Sequence, residues 1–267
     1  MGTDPGHLGS SEALKACCAA AYEHELTALL LGESYHPGGL ALTRHLARHL
    51  GIGSDDRVLD VASGNGATAI LLSEELGASV DGVDLGRAMT AAARANVESR
   101  GLSDKVRLAV GNAELLPYPD ASFEAVICEC ALCTFPDKAQ AVAEFARVLR
   151  PGGVLGITDI VLDPARLEPE LRSLGGWIAC LAGAVPLEEL LSLVEGAGFR
   201  IALVEAHDEA LRSMIERIEA RLALADALLL EAAADIDIGR ARELAASAAR
   251  AVDGGIAGYA LVVARTS

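Results

Sequence analysis

From residue 57 to about residue 160, short apolar runs alternate with segments of helical spacing, and this alternation limits the fold more than any other feature. Arg57–Val61, Ser79–Asp84, Val106–Val110, Phe123–Cys128 and Val154–Asp159 read as strands. Ala67–Gly77, Arg87–Arg100 and Ala139–Leu149 read as helices, the last stopped by Pro151-Gly152-Gly153. Strands that return in parallel need a crossover of a dozen or more residues, which a helix supplies. The pattern predicts an α/β fold: a parallel sheet covered by helices on both faces.

The flanks read as additions to this core. Residues 11–50 are expected to be helical, capped at Ser10 or Ser11 and divided by Gly32 and Pro37-Gly38-Gly39, so that 1–50 forms an N-terminal helical cover. The main domain is expected to run over 51–267, with helical insertions at about 160–185 and 208–254. Within it, Leu167–Gly183 and Pro186–Ala197 read as helical and Arg200–Ala206 as a sixth strand. Asp208–Leu230 and Arg240–Val252 have amphipathic helical spacing, and Ile256–Arg265 reads as a closing strand.

Composition narrows the partners. A net charge of −16 repels phosphate backbones and anionic lipid surfaces. Four Tyr, four Phe and one Trp are too few for a base-stacking platform. No apolar run approaches the roughly 20 residues of a membrane span, and the first residues lack the basic start and apolar core of a secretion signal. Six cysteines in 267 residues are too sparse for a secreted disulfide scaffold, so a reducing cytoplasm and available thiols are expected. The expected partner is a small molecule or metalloid, with neither nucleic acid nor membrane, and the helices of 208–254 could pair two copies into a homodimer.

The strongest local motif is Val58-Leu59-Asp60-Val61-Ala62-Ser63-Gly64-Asn65-Gly66-Ala67-Thr68, a strand, a small-residue turn and a helix start. Small residues let a ligand approach the backbone, and the helix N-terminus offers free N–H groups. Asp84 ends the next strand, where doubly wound folds place a ribose-binding carboxylate. Gly111-Asn112-Ala113 and Arg147-Val148-Leu149-Arg150-Pro151-Gly152-Gly153 follow. At these residues, over about 55–160, the chain resembles the class I S-adenosylmethionine-dependent methyltransferases. The resemblance implies a Rossmann-like seven-stranded sheet with its last strand antiparallel, and S-adenosylmethionine as cofactor. It places Asp60, Ala62, Ser63, Gly64 and Gly66 around the amino acid part of that cofactor, Asp84 with Leu85 at its ribose, and Asn112 and Ala113 at its adenine. Glu129 is a candidate partner of its ammonium group. Ala62-Ser63 replaces the family's more usual Gly-Cys, and Asn112 stands where Asp is usual.

The acceptor side is expected at the ends of the fourth and fifth strands. There the chain reads Cys128-Glu129-Cys130-Ala131-Leu132-Cys133, then Phe135-Pro136-Asp137-Lys138, and later Cys180-Leu181-Ala182-Gly183-Ala184. These stretches resemble the arsenite methyltransferases, whose cysteines fall at Cys130 and Cys180. The resemblance implies Cys130, Cys180 and Cys133 as catalytic thiols, and Cys130, Cys180 and Cys18 as arsenic ligands. Trivalent arsenic is thiophilic, and soft centres select thiolates. The family also has a cysteine just after the glycine loop, whereas this chain has none between Cys18 and Cys128. Cys128, inside a strand, reads as a small buried hydrophobe. Two other readings stand beside transfer to thiolate-bound arsenic: methylation of a small organic acceptor such as a thiol, quinone or polyketide-like metabolite, and binding of a soft metal without catalysis. His36 lies in a turn that could close over the cofactor.

Overall fold

The structure, a computed structural model, describes residues 11–32, 34–172, 180–227 and 237–266. Three helices come first: α1 (Ser11–Tyr22), α2 (Glu25–Leu31) and α3 (Gly39–Leu50). Then β1 (Arg57–Val61), α4 (Ala67–Leu76), β2 (Ser79–Asp84), α5 (Arg87–Ser99), β3 (Val106–Val110) and β4 (Phe123–Glu129) alternate as the sequence pattern predicts. The chain continues through α6 (Lys138–Val148), β5 (Leu149–Leu162), α7 (Leu187–Gly196), β6 (Phe199–Ala206), α8 (Asp208–Ala227), α9 (Ile238–Asp253) and β7 (Ala257–Thr266).

Among the described residues, seven strands form one sheet in the order β3-β2-β1-β4-β5-β7-β6. The five from β3 to β5 are mutually parallel, while β7 runs antiparallel to both β5 and β6. This is the Rossmann-like, doubly wound class I methyltransferase sheet. The order reverses between β1 and β4, so a crevice opens at their carboxyl ends.

Alternation along the strands divides the interior into two cores. Val58 of β1 joins the core beneath α3, α4 and α5, whereas Leu59 and Val61 join the one beneath α6 and α7. Leu42, Leu46 and Leu50 form an i, i+4, i+8 stripe on α3. The tips of Leu46 and Leu50 lie over Gly156 of β5, each 2.9 Å from where a β-carbon would sit. Leu211 and Ile215 of α8, with Ala248, Ala251 and Val252 of α9, extend the same core.

Several boundaries differ from expectation. The fifth strand begins at Leu149, not Val154, because Leu149 already pairs with Phe123 before a bulge that carries Pro151 and the left-handed Gly152 (φ 76°). Pro151 has no N–H to give a ladder, so the excursion costs no hydrogen bond. Within the expected insertion at Leu167–Gly183, the described residues form a short 3-10 turn at Pro169–Arg172, and 173–179 lie outside them. Ser10, the alternative cap, also lies outside, as do 228–230 at the end of the expected helix. Between β6 and β7, α8 and α9 stand where a tight hairpin would otherwise be, and the Tyr259 N–H donates to Asp208 Oδ1 at 2.8 Å. Among the described residues, no helix is long and apolar enough to cross a membrane.

Candidate active site

The β1–α4 turn is held by its own backbone and by Asp84. Ala62, Gly64 and Gly66 take left-handed conformations (φ 58°, 51° and 80°). The Asp84 carboxylate accepts from Gly64 N at 2.9 Å and from Gly86 N at 2.7 Å. Its pKa is raised by burial, against which those two backbone bonds act. Asp84 thus ties the first and second strand ends together and lines a cleft with Ala62, Gly64, Leu85, Asn112 and Ala113. Asn112 shapes the next turn, its Oδ1 accepting from Glu114 N at 2.9 Å.

A smaller cavity adjoins the cleft, lined by Asp60, Ala62, Ser63, Gly64, Thr68, His36 and Glu129. Glu129, at the end of β4, accepts from Thr68 Oγ1 at 2.7 Å and from Thr43 Oγ1 at 3.1 Å. His36 is buried, with Nε2 3.2 Å from Thr43 Oγ1 and 3.6 Å from the Glu129 carboxylate. Asp60 is buried as well, and its Oδ2 has no hydrogen-bond partner among the described residues. Burial, then Glu129 and Asp84, raise its pKa well above the usual carboxylate range.

Three thiols gather near the other end of the cleft, of which Cys130 lines it. Cys130 follows β4 directly, Cys133 sits in a short 3-10 helix (Leu132–Thr134), and Cys180 arrives from 50 residues downstream. Cys180 Sγ donates to the Cys130 carbonyl oxygen at 3.5 Å and lies 3.4 Å from the Tyr22 hydroxyl. The neighbouring Cys130 and Cys133 thiols, then Tyr22 and the positive charge of Lys138, hold Cys180 well below the usual thiol range despite its burial. Cys180 and burial push Cys130 up, and burial, then Cys180, pushes Cys133 up. Asp159 lies behind them, accepting from Cys133 N at 2.8 Å and from Ile160 N at 2.7 Å. Burial raises its pKa to about 7.

The expected site residues are therefore distributed unevenly. Asp84, Leu85, Asn112, Ala113, Cys18 and Cys130 line the main cleft, Asp60 and Ser63 the smaller cavity, and Ala62, Gly64 and Glu129 both. Gly66 lines neither. It begins α4 in a left-handed conformation, where a β-carbon would stand 3.3 Å from Ala93 Cβ of α5, so the backbone conformation and close packing against α5 account for the glycine. Cys133 lines a separate small pocket with Lys138 and Asp159, and Cys180 lies behind Tyr22 and Cys130. Cys18 faces the cleft, its thiol pushed up to about 11, mainly by burial. Cys128 is fully buried in β4. Sequence reasoning missed Thr43, Thr68 and Tyr22. Thr68 adjoins the glycine turn and was within reach, but Thr43 and Tyr22 lie on N-terminal helices with no local motif to mark them.

Residues 59–157 match the family model for a methyltransferase domain. The chain is 40% identical over 163 residues to methyltransferase GfsG of Streptomyces halstedii, covering 60% of this chain and 58% of that one. It is 33% identical over 162 residues to an arsenite methyltransferase of Halobacterium salinarum, covering 58% and 40%. The matched stretch spans about half the length of these curated relatives. Phosphoethanolamine N-methyltransferase 2 of Haemonchus contortus, solved with S-adenosylhomocysteine, superposes with a TM-score of 0.77 at 19% identity over 97% of this chain and 59% of that one. Residues 59–157 thus match a methyltransferase domain, on a sheet that has the class I methyltransferase fold.

Proposed function

We propose that this protein transfers a methyl group from S-adenosylmethionine to trivalent arsenic held by its own thiolates. The cofactor supplies an electrophilic methyl on a sulfonium. The residues fit it: the buried Asp60 Oδ2 has no partner among the described residues and, with Glu129, offers two carboxylates to an ammonium group. The left-handed β1 turn and the start of α4 present N–H groups to a carboxylate. Asp84 would take the ribose hydroxyls, and Asn112 and Ala113 the adenine edge, since all three line the cleft.

The observation that carries the acceptor is the convergence of Cys130, Cys133 and Cys180. Drawn in around one arsenic, these three sulfur donors would make a soft, pyramidal ligand set. Arsenite binds by exchange, each thiol proton leaving with an arsenic-bound hydroxide as water. Cys18, on the cleft wall, offers a fourth thiol. The thiolate-bound arsenic would keep its lone pair for the methyl carbon, and fixed geometry supplies much of the rate.

Incubation of the protein with S-adenosylmethionine, arsenite and excess thiol, with products separated and arsenic counted, tests this reading. Methylated arsenic is expected from the wild type and is lost in Cys130→Ser and Cys180→Ser. One observation favours a small organic acceptor instead: Tyr35, Val83, Met89 and Phe135 give the cleft a largely apolar wall. Under that reading arsenic is not methylated, cofactor binding is intact, and the thiols are pocket lining.

A further inference from the structure

A second constellation lies away from the cleft, between α3 and the edge strand β6. His45 and His49 stand one turn apart on α3, their rings 4.6 Å apart in an edge-to-face pair. Glu205 and His207 are two residues apart at the end of β6, on one side of the strand. His45 Nε2 lies 2.7 Å and His207 Nε2 3.0 Å from the same oxygen, Glu205 Oε2. His49 Nε2 lies 3.8 Å from the other carboxylate oxygen. The donor atoms of His45, Glu205 and His207 all fall within 4.8 Å of one another, and all three side chains are half-buried.

We infer that His45, Glu205 and His207, completed by His49, form a divalent transition-metal site of the zinc type, independent of the thiol cluster. Three imidazoles and one carboxylate are the nitrogen and oxygen donors that zinc takes in four-coordinate sites. The spacing suits a built site: one strand repeat delivers Glu205 and His207 beside His45, and one helical turn sets His49 next to them, 3.8 Å from the carboxylate. Half of the chain's six histidines meet here, on two elements far apart in sequence. A surface ion pair needs one histidine per carboxylate, whereas here two ring nitrogens share a single oxygen. A cation drawing the imidazoles and carboxylate to itself replaces that sharing with four direct bonds.

The site joins α3 to the edge of the sheet. α3 also packs Leu46 and Leu50 over Gly156 and reaches Glu129 through Thr43. Metal binding therefore clamps the helix whose Thr43 bonds Glu129, and it covers the end of an otherwise open edge strand.

The test is a titration of the chelator-treated full-length protein with cobalt(II), followed by visible absorption, with zinc as competitor. One equivalent of cobalt is expected, giving the ligand-field bands of a four-coordinate site without the near-ultraviolet band of a thiolate ligand. Zinc should displace it and raise the melting temperature. Cys130→Ser and Cys180→Ser should leave the cobalt spectrum unchanged. His45→Gln with His207→Gln, shown to be folded by circular dichroism, should weaken binding by more than the roughly 10–100-fold that loss of an outer partner costs, and abolish the zinc-dependent melting shift. No cobalt binding, binding unchanged in the histidine variant, or a thiolate spectrum lost in the cysteine variants would each overturn the inference.

Discussion

Cys130 and Cys180 both hold left-handed backbone conformations, with φ of 52° and 63°. For a non-glycine residue such a conformation costs on the order of 1–3 kcal/mol and persists where the surroundings over-determine it. Here the surroundings are the thiols themselves and Tyr22, which keep Cys180 low in pKa by hydrogen bonding. The thiolate absorbance near 240 nm at neutral pH is accordingly expected to fall in Cys180→Ser, while Cys128→Ser leaves it unchanged. A titration of that absorbance from acid to alkaline pH checks it. Asp159 gives a second residue-level prediction. Its pKa is about 7 in the folded protein against 3.8 for an ordinary Asp, so the folded state binds the proton more tightly. Its contribution to stability is full below the unfolded pKa and is lost as pH rises toward 7, at about 1.4 kcal/mol for each unit of separation. Asp159→Asn should therefore gain on the wild type between pH 4 and 7, read as the difference in urea midpoints. An unchanged difference across that range would place the proton elsewhere.

At the scale of elements, α3 is the piece that joins fold to site. Its apolar stripe was legible from spacing alone, but its target was not: Gly156 accepts Leu46 and Leu50 because it has no side chain. Leu46→Ala removes a fully buried side chain and is expected to cost about 2–5 kcal/mol. Gly156→Val forces the two leucine tips away and is expected to cost about 1–3 kcal/mol or more. Both are measurable by urea denaturation. Because Thr43 rides on the same helix and bonds Glu129, Gly156→Val should also weaken cofactor binding by isothermal titration, whereas a substitution on α9 should not. The fifth strand shows the opposite limit of sequence reading. Pro151-Gly152-Gly153 ended the helix as expected, yet Leu149 pairs with Phe123 before them, since a bulge tolerates the proline and the left-handed glycine inside a strand.

For the whole molecule, charge is the dominant long-range term. Thirty-eight acidic residues oppose twenty-two basic ones, so the folded state concentrates repulsion that salt relieves. Exposed ion pairs such as Arg44–Glu75 and Arg100–Glu74 work against this, but each is open to solvent and itself screened by salt. The melting temperature should rise as sodium chloride goes from ~0.01 M to ~0.1 M, where the screening length falls from about 30 to about 10 Å. A fall would mean that the surface pairs outweigh the net charge.

The sequence by itself determined the α/β class, the strand–turn–helix at Asp60–Thr68 and the acid at Asp84. These depend on local periodicity and on spacing along one strand–helix–strand unit, which neighbours in sequence set. Tertiary structure alone decided that Thr43 and His36 reach Glu129 and that His45 meets His207, while the grouping of Cys180 with Cys130 and Cys133 was implied beforehand only by a family resemblance. Each of these meetings joins segments that share no local pattern, and only the packing of helices on the sheet brings their side chains within bonding distance.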